Sequence, residues 1–428
     1  MTQNVAGARV SFSSYQKLIV LLLALLQFTV VLDFMVLSPL GDMLIKSMSI
    51  TPSMFGAVVS SYAFSAGVSG ILAAGFADRF DRKKLLLFFY SGFILGTLGC
   101  ALANTYYLLL AARIVTGLFG GVISAIGMAI IADLFAIHQR GRVIGMVQIS
   151  FAASQVLGIP AGIYLANLWD WHAPFFIIVC VAAVIFAAIL LKVKPIDAHL
   201  QHGQPHNAFR HLLKTVAKRN YRAGFLATAV LSLGGFMLMP FSSAFMVNNV
   251  GMAPGQLPLI FLFTGISSIV VMPAVGKLSD RVPKLSLFTY GSVLAIIMIL
   301  IYTNLMPVPL WQVVLVNVFL FMGIMSRMIP GTALTTAIPD MQDRGAFMSV
   351  NASLQQLAGG IASLVAGLIV AQETPASPIL HYDTLGYLVC ATIAICLFLY
   401  YRVNILVQKK TTAEKLRTVA PLTAGSEV

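Results

Sequence analysis

The sequence is short of charge. Only 10% of its 428 residues are Asp, Glu, Lys or Arg, against roughly a quarter in an ordinary soluble domain. That excludes a soluble enzyme, a nucleic-acid-binding domain and a disordered chain. Acid is scarcer than base, with 14 Asp+Glu against 27 Lys+Arg. Cysteine is sparse too: Cys100, Cys180, Cys390 and Cys396 each lie inside an apolar run. They read as small buried hydrophobic side chains, not as a disulfide set, and no Cys/His spacing resembles a metal site. No cleavable signal peptide is expected. The first apolar run is too long for a signal h-region, and no small-residue cleavage site follows it.

What the chain has is apolar sequence: 59% by the AVILMFWYC count, with a mean hydropathy of +0.92. That supplies enough for roughly a dozen lipid-crossing segments of about 20 residues. Twelve runs are found, at 17–41, 53–77, 84–103, 106–135, 142–167 and 173–193, then 222–248, 255–279, 284–304, 309–337, 346–371 and 383–407. Lipid offers the backbone no hydrogen-bond partner, so these runs are expected to be helices. The fold class is therefore all-α integral membrane. The expected domains are a bundle over 1–193, a linker over 194–221, a bundle over 222–408 and a tail over 409–428.

Basic residues set the orientation. With a cytoplasmic N-terminus, 24 of the 27 Lys and Arg fall on inside segments, Lys46 falls outside, and Arg113 and Arg327 lie within spans. This split predicts both termini on the cytoplasmic side of the cell membrane. A missed span would flip half of these charges outward, so the split also supports the count of twelve. The linker carries His199, His202, His206 and His211. A metal tract is one reading of them; the plainer one is a solvated linker with a basic amphipathic helix on the lipid surface.

The two halves repeat. "AGFADRFDRKK" after span 2 recurs as "GKLSDRVPK" after span 8, Asp78 aligning with Asp280 at an offset of 202; "QRGRVIGM" and "DRGAFMSV" align Arg140 with Arg344 at 204. Six-helix halves related in this way pack about an axis along the membrane normal, with a site between them near the midplane.

On these residues the chain resembles the major facilitator superfamily. The loop pattern G-x-L-A-D-R-x-G-R-K of that family is met by Ala77, Asp78, Arg79, Arg82 and Lys83. Ala74 and Asp81 stand where glycines would, and Asp81 removes a flexible turn residue. Span 4 carries Arg113 and Gly117 in "RIVTGLFGG", similar to an R-x-x-x-G element. Span 5 carries Gly158, Pro160 and Gly162, a partial match to the hinge element of exporters. The resemblance implies two pseudo-symmetric six-helix bundles, alternating access and a chain that works as a monomer in the bilayer. It is nearest to the drug:proton antiporter and sugar-efflux branch, which implies a small-molecule substrate and protons as partners and no cofactor. A symporter or facilitator importing a nutrient is the alternative. A non-transporting receptor would call for a large soluble domain, and an enzyme for a nucleophile–base pair or metal set that the short loops do not carry.

Ionisable groups inside a span are functional candidates. Asp33 and Arg113, placed at similar depth by a rise of about 1.5 Å per residue, are expected to share one pocket. There they act either as a proton-coupling pair, as the resemblance implies, or as a permanent strut between spans 1 and 4. Arg327, in the inner half of span 10, either meets an anionic substrate or snorkels to the cytoplasm. The resemblance implies that Asp78, Arg79, Arg82, Asp133, Arg140 and Asp280 form a conformational lock, the alternative being a topology signal alone. Within it, Asp78 would cap span 11 near Gly345 and Arg82 would pair with Asp133. If spans 1, 2, 4, 5, 7, 8, 10 and 11 line the chamber, as the resemblance implies, Gln27, Tyr62, Gln155, Phe236, Met239, Asn317 and Gln355 are substrate-binding candidates, with Gly234 and Gly235 bending span 7. A Met- and Phe-rich wall suits lipophilic or mixed substrates.

Overall fold

The computed structural model describes residues 12–76, 79–197, 200 and 208–419, with the side chains of 74–76, 137–138, 208–210 and 413–419 outside the description. Among the described residues, twelve helices are long and apolar enough to cross a membrane. Spans 1 to 6 are Ser14–Val36, Pro52–Ala73, Arg82–Ala101, Tyr106–Leu134, Gln139–Leu168 and Ala173–Lys192. Spans 7 to 12 are Arg219–Asn248, Pro254–Arg281, Lys284–Thr303, Leu310–Thr336, Arg344–Ile369 and Tyr382–Thr412. The helix of span 12 runs on to Val419, past its expected end at 407, and span 1 is shorter than expected. It stops at Val36, and its expected end is a turn leading into a separate short helix, Gly41–Met48.

Helix starts follow from local chemistry. Ser13 and Gln16 form a capping box at span 1, and Thr105 accepts from Leu108 N–H at span 4, satisfying amide donors that a helix start leaves unpaired. Asp81 does the same for span 3. Its carboxylate accepts from Lys83 and Lys84 N–H at 2.7 and 3.2 Å. The acid that displaces a family glycine is therefore a helix cap and not a stiffened turn. Many hydroxyls inside the spans fold back onto their own helix, as Thr116 does to Ala112 O at 2.7 Å, because hydrocarbon offers no partner.

Close helix packing rests on small residues, as expected where lipid tails compete equally for apolar surface. A Cβ on Gly96 of span 3 would come within 2.6 Å of Thr116 of span 4; one on Gly291 of span 9 would come within 2.6 Å of Ser326 of span 10. The same pairing thus recurs in both halves. Span 7 breaks at Met239–Phe241, around Pro240, not at Gly234 and Gly235. Gly234 instead lets span 12 approach, since a Cβ there would sit 2.9 Å from Thr392.

Spans 2 and 11 join the halves: a Cβ on Gly56 would meet Ser363 O at 2.8 Å, and one on Gly67 would meet Leu357 at 2.7 Å. Spans 5 and 8 join them only near the end away from the basic loops, where a Cβ on Gly265 would meet Gln155 O at 2.8 Å. Their contact is concentrated over 154–168. Nearer the basic end, Gly145 of span 5 and Gly276 of span 8 face nothing within 4 Å. Along the seam of spans 5 and 8 the molecule is closed at the far end and parted toward the basic end, while spans 2 and 11 stay in contact as far as Gly70, where a Cβ would meet Ser353 Oγ at 2.8 Å.

The linker helix Ala208–Ala217 does not lie free on lipid. Leu212 and Thr215 are buried, and the helix packs on spans 2 and 11. His199, His202 and His206 lie outside the described residues, and among the described residues no three metal-ligating side chains are grouped. Cys100 and Cys396 are buried and Cys390 half-buried, but Cys180 is exposed on span 6, contrary to the expectation that all four are interior.

Replacing Gly265 with valine is predicted to wedge spans 5 and 8 apart at the far end. A membrane-impermeant maleimide should then label a cysteine at Ser38, now buried, several-fold faster. An unchanged labelling rate would mean that this contact does not hold the closure.

Candidate functional site

Asp33 and Arg113 do share one pocket. The helical turn of span 1 carries Asp33 inward among spans 2, 3 and 4, and the two side chains are 0% and 1% exposed. Arg113 Nη1 donates to Asp33 Oδ2 at 2.8 Å and to the Asp33 carbonyl at 3.4 Å. Thr97 Oγ1 of span 3 donates to Asp33 Oδ1 at 3.2 Å. The guanidinium lies over the Tyr62 ring at 4.6 Å, a cation–π contact that strengthens when water is absent. Arg113 Nε has no hydrogen-bond partner among the described residues. The pair is neither against hydrocarbon nor open to the chamber: it is sealed inside the N-terminal half. Tyr62, a candidate for the chamber wall, belongs to this pocket.

The wall itself is built from neighbours. A narrow void between the halves is lined by Phe34, Ser38, Phe236, Met239, Gln356 and Ser363, among others. Phe236 and Met239 were expected there; Phe34, Ser38 and Ser363 were not, and the signal was available, since Phe34 follows Asp33 and must face about 100° away from it on a helix. Gln27 bonds Ser124 of span 4 at 2.9 Å, on an exposed face. Asn317 turns back to Val313 O at 2.9 Å. Gln155 and Gln355 are half-buried. Ser154–Gly158 forms a π-helical turn, a local widening frequent at functional sites. Gly158 and Gly162 let span 5 approach span 1, a Cβ on each falling 2.7 Å from Leu32 and 2.8 Å from Val36, and Pro160 is buried just after the π turn.

Arg327 takes neither of the two positions expected for it. It is 3% exposed and turned into the C-terminal half, where Nε donates to Ser292 Oγ at 3.1 Å. Its guanidinium lies 5.6 Å from the Phe288 ring centroid, and Nη2 has no hydrogen-bond partner. The side chain reaches neither the void nor the basic surface.

At the basic end, Arg82 Nε meets Asp133 Oδ2 at 3.2 Å, as expected. Arg140 caps the end of span 4, donating to Ala132 O at 2.6 Å and Phe135 O at 3.0 Å, where cationic donors suit free helix carbonyls. Arg79 and Asp280 are exposed; Asp78, with its expected contact to span 11, lies outside the described residues. Two clusters were not anticipated. Asp343 accepts from Lys218 and Tyr221 and lies 3.5 Å from His211, while Asp340 pairs with Lys410 at 2.9 Å. These acids tie the linker and span 12 to the loop before span 11. At the far end, Asp42 accepts from Lys46 at 2.9 Å and from Asn248 of span 7 at 2.7 Å, and Ser243 donates to Ser38 O at 3.1 Å. This clasp crosses between the halves. Its residues are polar but scattered in sequence, so only Lys46 stood out.

Twelve helices in two similar halves, closed at one end around a narrow chamber with a sealed ion pair beside it, define a membrane transporter. The sequence pattern of the Major Facilitator Superfamily matches residues 23–363 and 224–424, and the chain belongs to that family: it is a secondary transporter and not an enzyme. The uncharacterised MFS-type transporter YtbD of Bacillus subtilis is 26% identical over 73% of this chain and 80% of its own length. Multidrug resistance protein 2 of the same organism is 26% identical over 66% of this chain and 73% of its own. Among solved structures, an inward-facing, unoccupied bacterial homologue of the human lysosomal transporter Spinster superposes with a TM-score of 0.73 at 17% identity, covering 93% of this chain and 99% of that one.

Two expectations follow. Arg327→Met removes a buried cation that has no acidic partner among the described residues, a change often neutral or stabilising. Thermal unfolding in detergent should therefore shift up by about 2–4 °C, whereas a downward shift would show that the cation is compensated. The hydrogen bonds from Lys218 and then Tyr221 hold the Asp343 carboxyl below its ordinary value of 3.8. A depressed value means the stabilisation is full above 3.8 and is lost as pH falls through the folded value. The contribution of the Asp343 carboxylate to linker docking should thus be flat from pH 5 upward, and Asp343→Asn should raise tryptic cleavage at Lys214 at neutral pH several-fold.

Proposed function

We propose that the chain is a proton-coupled exporter of small lipophilic or mixed-polarity molecules, and that Asp33 is its proton-binding group. The observation that carries this reading is the carboxylate itself, held inside the spans by a single arginine. A buried charge of this kind is costly to keep without a purpose. While the far end is closed, the pair is sealed, so exchange of its proton requires the halves to move. Protonation of Asp33 removes the anion that Arg113 binds and weakens the tie between spans 1 and 4, which links proton occupancy to the shape of the N-terminal half. The roughly 1–193 and 222–408 halves rock as bodies. The π turn and Gly158–Gly162 segment of span 5 yields, and Arg82–Asp133 steadies the loop end of the N-terminal half.

The basic end is read as cytoplasmic, by the distribution of Lys and Arg. The parted side then faces the cytoplasm of the cell, and substrate loads from within. That state belongs to the cycle of importers and exporters alike; export is supported by the likeness to a multidrug resistance protein and by the glycine–proline element of span 5. The protein works as a single chain in the cell membrane.

Proteoliposomes with an imposed pH gradient, an interior pH dye and a panel of dyes, sugars and metabolites test the reading. One compound of the panel should drive proton movement opposite to its own; movement in the same direction would point to import. Asp33→Asn keeps an oxygen for Arg113 and should preserve expression and monodispersity while reducing gradient-driven transport at least tenfold. Undiminished transport would reject the coupling role.

A further inference from the structure

We propose that Tyr62 is a positioning residue that passes the charge state of the Asp33–Arg113 pair to the substrate chamber through the ring of Phe34. The inference rests on the coupling role proposed above for Asp33. Three contacts carry it. The Arg113 guanidinium lies 4.6 Å from the centroid of the Tyr62 ring. The Tyr62 ring lies 5.3 Å from the Phe34 ring. Phe34 in turn lies edge-on to Phe236 of span 7, at 6.1 Å, and both phenylalanines border the void between the halves. The row runs from a fully buried charge to the opposite half without a gap.

The row is also held on its sides. A Cβ on Gly117 would fall 2.4 Å from the Tyr62 carbonyl, and one on Gly120 would fall 2.9 Å from the Tyr62 hydroxyl. Span 4 is therefore pressed against span 2 at this level, and the ring has little freedom to slide. Asp33 and Phe34 are consecutive on one helix, so a turn of span 1 that changes the ion pair also moves the ring.

Neutralising Asp33 alters the balance at Arg113 in a defined way. The strongest acceptor of the guanidinium is lost, Nε already lacks a partner, and the Tyr62 face and the Asp33 carbonyl remain. A cation attracted to a ring face gains from closer approach once its anion is gone. The ring is drawn toward Arg113 and its contact with Phe34 changes. The titratable and charged groups facing Asp33 are Arg113 of span 4, Tyr62 of span 2 and Cys100 of span 3. A phenol or a thiol carries no positive charge in either protonation state, so Arg113 supplies the only opposing charge among them.

The test needs no substrate. Spin labels at Trp169 and Trp311, both exposed at the far end, report the separation of the halves in lipid nanodiscs, with the exposed Cys180 replaced by alanine. The otherwise unaltered protein should change its distance distribution between pH 5 and pH 9, and Asp33→Asn should remove that response. Tyr62→Leu should reduce the pH-dependent population change at least fivefold, and Tyr62→Phe should retain it. Phe34→Leu, which leaves the charge pocket whole, should lose the response as Tyr62→Leu does and guards against a folding defect in the latter. If Tyr62→Leu or Phe34→Leu follows pH as the parent does, or if Tyr62→Phe loses the response, the relay is overturned while the role of Asp33 stands. If the parent ignores pH, or Asp33→Asn still responds, the coupling reading fails and the relay with it.

Discussion

A carboxylate and a guanidinium excluded from water have to stay together. Removing one partner of such a buried pair leaves an uncompensated charge and costs roughly 3–5 kcal/mol. In this protein that constraint lies between Asp33 and Arg113, and the first four spans are arranged around it. Thr97 supplies a further donor, Tyr62 supplies a ring face, and glycines on span 4 admit span 2 closely enough to bring that ring in. The permanent-strut and proton-switch readings share this geometry. They differ in whether the pair is ever parted.

Among the described residues, the C-terminal half has no counterpart to it. Arg327 lies ten residues deeper than the repeat of Arg113 would place it, and it meets a hydroxyl and an aromatic ring in place of an acid. The position that does match Arg113, Asn317, bonds its own helix. Helix packing repeats across the two halves, through Gly96 with Thr116 and Gly291 with Ser326, but the buried charge chemistry does not. All three ionisable side chains deep in the spans are turned into a bundle, and the void between the halves is bordered by aromatic, methionine, glutamine and serine side chains. A fixed charge on a substrate would find no opposite charge on that border.

The two ends of the molecule use different forces. At the far end the halves meet by close backbone approach, at Gly56 and Gly265, with the Asp42–Lys46–Asn248 clasp across them. Packing of this kind is bistable, since a small separation forfeits much of the contact energy. At the basic end, charges fasten loops onto their own half: Arg82 to Asp133, Lys218 to Asp343, Lys410 to Asp340. Such an arrangement favours two firm bodies with a separable seam.

The number of crossings and the internal repeat were readable because lipid imposes simple terms: about 20 apolar residues per helix and few charges within it. The partnership of Asp33 with Arg113 was readable for the same reason, since two unpaired charges at one depth are too costly to leave apart. The surroundings of each charge were not readable. Depth along a helix follows from counting residues, but azimuth follows from which neighbour lies on which side. Counting therefore left open that Tyr62 faces the ion pair, that Phe34 faces the void, and that Arg327 turns into its own bundle. The break in span 7 fell at Pro240 and not at the paired glycines for a related reason: Gly234 was needed to let span 12 come close. Composition and periodicity determined that this chain crosses a membrane as two matched sets of helices; only the packing of those helices decided which side chains share a pocket, because contacts between distant segments depend on rotations that no local pattern encodes.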